Sequence, residues 1–287
     1  MKRLFLAAVA AALMLVPASS ASAALTGEYA KFQTCPLSNV SVEGCLYAES
    51  TNGSFTIGQK SVPIVNPVVI KGGVGGPEGI FGPLTFYSPT DGVALSKAAQ
   101  PVPGGLLGIT APSWWPQVLK DLFNETINNG FTGVSATVEI AGSPSLVKAS
   151  FLNAFTGSGA AFSLPVKVKL SNPFLGSNCY IGSNSNPIQL NLTTGTTSPP
   201  PPNQPISGNP GEGGTIEEKI IFLKHNRLVD NAFGAPGANG CGGILFSWAV
   251  DPLVNSILGV PSPAGTNTAI LEGTTYLFSA TYAREMQ

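Results

Sequence analysis

In several segments of the chain, apolar residues recur at every second position. Phe55 and Ile57 share one face of residues 54–57, and Ala136, Val138 and Ile140 share one face of 135–142. Val166, Val168 and Leu170 alternate with the cations Lys167 and Lys169 over 163–170. A period of two places successive side chains on opposite faces of a strand, so each segment is predicted as a β-strand with one face buried. Residues 187–195, 215–226 and 273–282 read the same way. Pro63 and Pro67 confine 62–73 to a sheet edge or split it into two pieces, because proline cannot donate to a ladder.

Two segments follow the helical period instead. Over 114–129, Trp115, Val118, Leu119, Leu122, Phe123 and Ile127 recur at helical spacing and Gly130 closes the end. Over 252–258, Asp251 serves as N-cap, Pro252 as first helical residue and Gly259 as C-cap, with Pro261 beyond. Each helix follows a double glycine and an aliphatic pair, GGLLG at 104–108 and GGILF at 242–246, which reads as two strand-to-helix turns. The expected fold is mainly β, antiparallel and sandwich-like. Its two short helices should cover an end or seam with their apolar stripes turned to the core.

The first 23 residues stand apart: Lys2 and Arg3, an apolar run from Leu4 to Val16, then Ala21-Ser22-Ala23. That is the pattern of a secretory signal peptide cleaved after Ala23, its run too short for the roughly 20 residues of a membrane span. Residues 24–287 are then expected to form one secreted β-rich domain with no integral membrane segment. Without Lys2 and Arg3, twelve cations remain against fifteen acids, a net charge of about −3. Only 10% of the residues are charged, so the polar surface must come from Ser, Thr, Asn and Gly. Nothing clusters Lys and Arg as nucleic acid requires.

Cys35, Cys45, Cys179 and Cys241 are an even set in an exported chain, which points to disulfides, and four cysteines allow three pairings. Cys35 with Cys45 and Cys179 with Cys241 is preferred, because the first pair shares a short loop and the other pairings require two long crossings. On the loop-entropy account, these bridges contribute about 2.8 and 4.3 kcal/mol. The second would enclose the Pro/Gly-rich stretch 194–214, making it a surface loop rather than a linker between two halves. No CxxC pair exists and the single histidine, His225, is distant in sequence from three of the thiols, so no metal or cofactor is expected.

Catalytic sets are sparse. A Ser-His-Asp arrangement would have to use His225, expected at a strand end on the surface, and there is no G-x-S-x-G elbow. Ser145 and Lys148 have serine-lysine spacing but lack the elements that must follow. Among the acids, Glu139 and Asp230 are expected to be solvated, and Glu217 and Glu218 fall on opposite faces of a strand. The glycine-rich stretch at 71–82 has neither dinucleotide nor P-loop spacing and reads as turn and loop. Trp114 and Trp115 are the candidate ligand contacts, as an aromatic platform at the mouth of the first helix.

The stretches CPLSNVSVEGCLYAES, VPGGLLGI, SLPVKVKLSNPFLGSNCYIGSNSNPIQLNLTTGTTSPPPPNQPISG and VDNAFGAPGANGCGG together resemble an uncharacterised family of secreted actinobacterial proteins, over essentially the whole mature chain. The resemblance implies export from a bacterium and paired cysteines, and carries no activity, cofactor or site. The expected function is therefore non-enzymatic: binding or structural association at the bacterial cell envelope, through cell-wall, glycan or lipid contact. The alternatives are a secreted serine-type hydrolase using His225, or an extracellular carrier of an apolar ligand.

Overall fold

The structure, a computed structural model, describes residues 24–79, 81–107, 111–127 and 132–286. In chain order the first strands are β1 (Gly44–Ile57), β2 (Lys60–Pro63), β3 (Val68–Gly75), β4 (Leu84–Tyr87), β5 (Gln100–Pro101), β6 (Ser135–Ile140) and β7 (Lys148–Ala149). They are followed by β8 (Phe162–Ser171), β9 (Tyr180–Ile181), β10 (Ile188–Leu192), β11 (Glu212–Ile216), β12 (Ile220–Asp230), β13 (Ala238–Asn239) and β14 (Thr268–Ser279). The helices are α1 (Gln117–Ile127), α2 (Phe151–Thr156), α3 (Gly243–Leu258) and α4 (Ala280–Glu285).

Among the described residues all fourteen strands join one antiparallel sheet, whose main path runs β11-β12-β14-β1-β3-β4-β7-β8-β6-β5. The path folds back on itself. Leu46, Leu223, Leu271 and Leu277 from the β12-β14-β1 half share one buried cluster with Leu164, Val166, Val168, Leu170 and Leu190 from the β8-β10 half. This is the sandwich-like arrangement, and it follows from the period of two: Val166, Val168 and Leu170 are 2, 6 and 4% exposed, while Lys167 and Lys169 face outward.

A second, smaller core lies on the outer face of β1, β12 and β14. Cys45, Ile220 and Phe278 pack there against Leu25, Tyr29, Phe32 and Cys35 of the N-terminal segment, and Ala280 and Ala283 of α4 complete it. The Cys35–Cys45 disulfide fastens that segment to β1. Arg284 on α4 donates to the carbonyls of Leu37, Asn39 and Val42 at 3.0, 3.0 and 2.9 Å. Gly75 must be glycine here, since a Cβ would lie 2.0 Å from the Ser41 carbonyl oxygen of the segment crossing over β3.

The second disulfide joins Cys179 and Cys241, which are both fully buried. The Pro-rich stretch it encloses folds back on itself, with the Thr197 amide donating to the Ile206 carbonyl at 2.9 Å. The Asn203 side chain donates to the Asn231 and Asn267 carbonyls at 2.8 and 2.9 Å, holding the loop against the strand ends.

Several expectations are corrected. Residues 215–226 form a hairpin rather than one strand: Glu217 and Glu218, at φ 50° and 56°, make the turn between β11 and β12. They therefore do not point to opposite faces of a strand. The strand expected at 273–282 ends at Ser279, and Ala280 opens α4. Of the glycine-rich stretch 71–82 read as turn and loop, residues 71–75 belong to β3, which runs past the expected strand end at Gly73 and lies between β1 and β4. Pro63 and Pro67 do split 62–73, into β2 and β3. The first helix begins at Gln117 after Pro116, and residues 128–130 of the expected helix and cap lie outside the described residues. The second begins at Gly243, nine residues before Pro252, so Pro252 sits inside it.

Candidate functional site

The described segments before and after α1 are clamped together: the Val102 amide donates to the Val134 carbonyl at 2.8 Å, and the Leu106 amide to the Thr132 carbonyl at 2.7 Å. Helix α1 has its apolar stripe outward. Val118, Leu119 and Leu122 are 77, 47 and 60% exposed, whereas the sequence pattern placed them in the core. Periodicity shows that residues share a face but not which way the face turns. Trp114 is 79% exposed, and the half-buried Trp115 makes edge contacts with Trp114 and with Phe123 at 6.2 and 5.7 Å between centroids.

Helix α3 divides at its middle. Val250, Val254 and Leu258, spaced four apart, pack its C-terminal half onto the main core. The N-terminal half projects Ile244, Leu245, Phe246 and Trp248 into solvent. Asp251 is the only charged residue of the helix, and it turns back rather than outward. Its carboxylate accepts the Cys241 amide at 2.7 Å and the Gly240 amide at 3.2 Å, so it braces the chain before the helix instead of capping residue 252. Gly242 and Gly243, at φ 79° and 69°, make the entry turn; a Cβ on Gly242 would stand 2.6 Å from Val250 Cγ2.

One short segment joins the two helical elements. The buried Asn172 donates through Nδ2 to the Gly133 carbonyl at 2.7 Å, where the α1 excursion returns. Two residues after the half-exposed Phe174 is Gly176, and the Leu175 carbonyl between them accepts the Gly242 amide at the start of α3, at 2.8 Å. Residues 172–176 thus hold both helices at one end of the β structure. Sequence reasoning missed this strut; its signal was Asn-Pro at 172–173, a turn pair immediately after the long strand.

The remaining candidates are placed as follows. His225 is exposed and lies within β12, not at its end, because the strand runs on to Asp230. It bulges out between Lys224 and Asn226 with φ 55° and borders a polar depression of about 570 Å³. No serine lines that depression among the described residues. The Ser145 hydroxyl bonds to Ser143 Oγ at 2.9 Å, and Lys148 reaches only the Ser145 carbonyl, so the pair is not a nucleophile with its base.

The acids also separate. Glu217 accepts the Tyr29 hydroxyl at 2.5 Å, which pushes the phenol up to about 12, and Glu139 pairs with Lys167 at 3.8 Å. Asp230 is buried rather than solvated, and burial raises its carboxyl above the usual range although the Asn191 and Ala232 amides donate to it.

Between the two halves, Phe55, Ile57, Val102, Val138 and Leu258 line an apolar cleft of only about 50 Å³. Ligand pockets usually span roughly 300–1,000 Å³, so this cleft admits no lipid-sized guest as it stands. Among the described residues no helix is long and apolar enough to cross a membrane, and no cluster of ligating side chains could hold a metal ion. Comparison with protein-family models, with curated proteins and with solved structures finds no match.

Proposed function

We propose that this is a secreted bacterial protein without enzymatic activity that associates with the cell envelope by resting its helical end on a lipid surface. The observation that carries this reading is the N-terminal half of α3. Ile244, Leu245, Phe246 and Trp248 are 99, 76, 60 and 79% exposed and spread over roughly 200° of the helix circumference. A helix that docks in a protein groove presents one stripe at i, i+3, i+4 and i+7. Apolar groups on most sides of a projecting tip fit hydrocarbon, which closes around them. No charged side chain interrupts these residues, and Trp114, three residues before α1, and Val118 on it add to them at the same end. The tryptophans suit the boundary between headgroups and acyl chains.

Sixteen residues make α3 about 24 Å long, short of the roughly 30 Å hydrocarbon core, so docking is interfacial rather than spanning. Flotation of the purified mature chain with vesicles of phosphatidylcholine and phosphatidylglycerol tests the reading. Co-flotation that persists in high salt is expected, because an apolar contact is not screened. Protein that stays at the bottom of the gradient, or that forms a dimer dissociated by Ile244→Asp, overturns it.

A further inference from the structure

The polar depression at His225 is built by two β-bulges that flank one glycine. In β1 the register slips between Ser50 and Asn52, inserting Thr51; in β12 it slips between Lys224 and Asn226, inserting His225. Both slips occur opposite the same residue of the strand between them, Gly273, which pairs with Ser50 on one side and Asn226 on the other. A Cβ on Gly273 would lie 1.8 Å from the Glu49 carbonyl oxygen, so no other residue fits there. The depression lies over this doubly bulged position, lined by residues of all three strands: Thr51 and Asn52 of β1, Glu272 and Thr274 of β14, and His225 and Arg227 of β12. Bulges of this kind re-aim side chains and are enriched beside functional sites.

The backbone at His225 supports the same assignment. With φ at 55°, the chain's single histidine occupies the left-handed region, which disfavours any residue with a Cβ. Glycine would relieve that conformation; an imidazole is placed there instead, exposed at the rim. The bulge requires that backbone, as the β11–β12 turn does at Glu217 and Glu218, and here it carries the imidazole out to the rim of the depression.

The charge pattern selects the class of ligand. Arg227, Glu272 and Asn52 form one row across the three strands: Arg227 Nε lies 3.2 Å from Glu272, and Asn52 Nδ2 donates to Glu272 at 2.9 Å. The guanidinium is matched by its own carboxylate, so this row carries no net charge. Around this neutral row stand two hydroxyls, Thr51 and Thr274, the imidazole and the Asn209 carboxamide, whose oxygen accepts the Gly211 amide at 2.9 Å and leaves its nitrogen for other partners. A volume near 570 Å³ falls within the range of small-ligand sites.

From this geometry we infer that the β1-β14-β12 depression binds a neutral, polyhydroxylated ligand, a short oligosaccharide. The inference does not depend on lipid docking by the helical end, because the two use different residues and different chemistry.

The single histidine supplies its own reporter: one Cε1–H imidazole resonance in a proton–carbon NMR spectrum of the intact mature chain. The probes are cellobiose, maltose, mannobiose and N,N′-diacetylchitobiose, each titrated separately, with inorganic phosphate as the anionic comparison. Saturable movement of the imidazole signal with at least one disaccharide and none with phosphate is expected. His225→Gly should keep or raise the melting temperature and weaken that disaccharide about tenfold, the loss of one hydrogen bond. A signal that moves with phosphate alone, or with no probe, overturns the assignment, as does undiminished disaccharide binding by the glycine variant.

Discussion

Replacing Trp248 by Ser tests lipid docking at the most exposed aromatic group of α3. Trp248 is 79% exposed, and aromatic side chains carry roughly 150–250 Å² each, so about 120–200 Å² of indole surface faces solvent. At about 25 cal/mol per Å², complete transfer of that surface out of water would contribute roughly 3–5 kcal/mol. An indole lodged at the headgroup boundary realises about half of this, near 2 kcal/mol, or a partition coefficient lower by about 30-fold in the serine variant. The assay is a vesicle titration followed by flotation, with wild type, Trp248→Ser and Trp248→Phe in parallel. The phenylalanine variant should keep most of the affinity. Because the side chain does not pack into the core, thermal stability should stay within about 0.5 kcal/mol of wild type. Unchanged partitioning with intact stability would refute the role given to α3; a large drop in melting temperature would show that Trp248 packs somewhere in the fold.

Other expectations concern the fold. Serine at both Cys179 and Cys241 should lower unfolding stability by about 4 kcal/mol in denaturant titration, since the bridge closes a loop of 62 residues. Arg284→Ala should cost about 1–2 kcal/mol by the same measurement, because it strips three carbonyls of a charged donor at the rim of the smaller core. Tyr29 titrates near 12 in the folded chain against 10.0 ordinarily, so its bond to Glu217 stabilises fully below about pH 10 and is lost as pH rises through about 12. The difference in phenolate absorbance between wild type and Tyr29→Phe should place that late ionisation, and a midpoint near 10 would contradict it.

The strands with one buried face were the most legible part of the chain. Val166, Val168 and Leu170 turn inward between outward lysines because a period of two leaves only one way to bury all three. Pro63 and Pro67 divide β2 from β3 for the plain reason that they cannot donate. The preferred cysteine pairing also matches the structure. Elsewhere local signals misled. Asp251 and Pro252 make a convincing helix start by themselves, yet the helix begins at Gly243. The apolar run from Ile244 to Val250 offered no polar face from which a helix could be recognised, and Asp251 finds its amides on Gly240 and Cys241 instead. Glu217 and Glu218 lie between apolar stretches and read as strand; their left-handed backbone belongs to a turn that neither residue announces.

By itself the sequence determined the strand periodicity, the two helical regions and the sparse charge, because these follow from which residues lie near one another along the chain. Only the tertiary structure decided which way the stripes of α1 and α3 turn, since that depends on whether another element arrives to cover them. It also decided that two bulges meet at Gly273 and place Thr51, His225 and Asn209 around one depression. Residues so far apart in the chain become neighbours only through strand register, and register is set by the packing of the whole sheet rather than by any one segment.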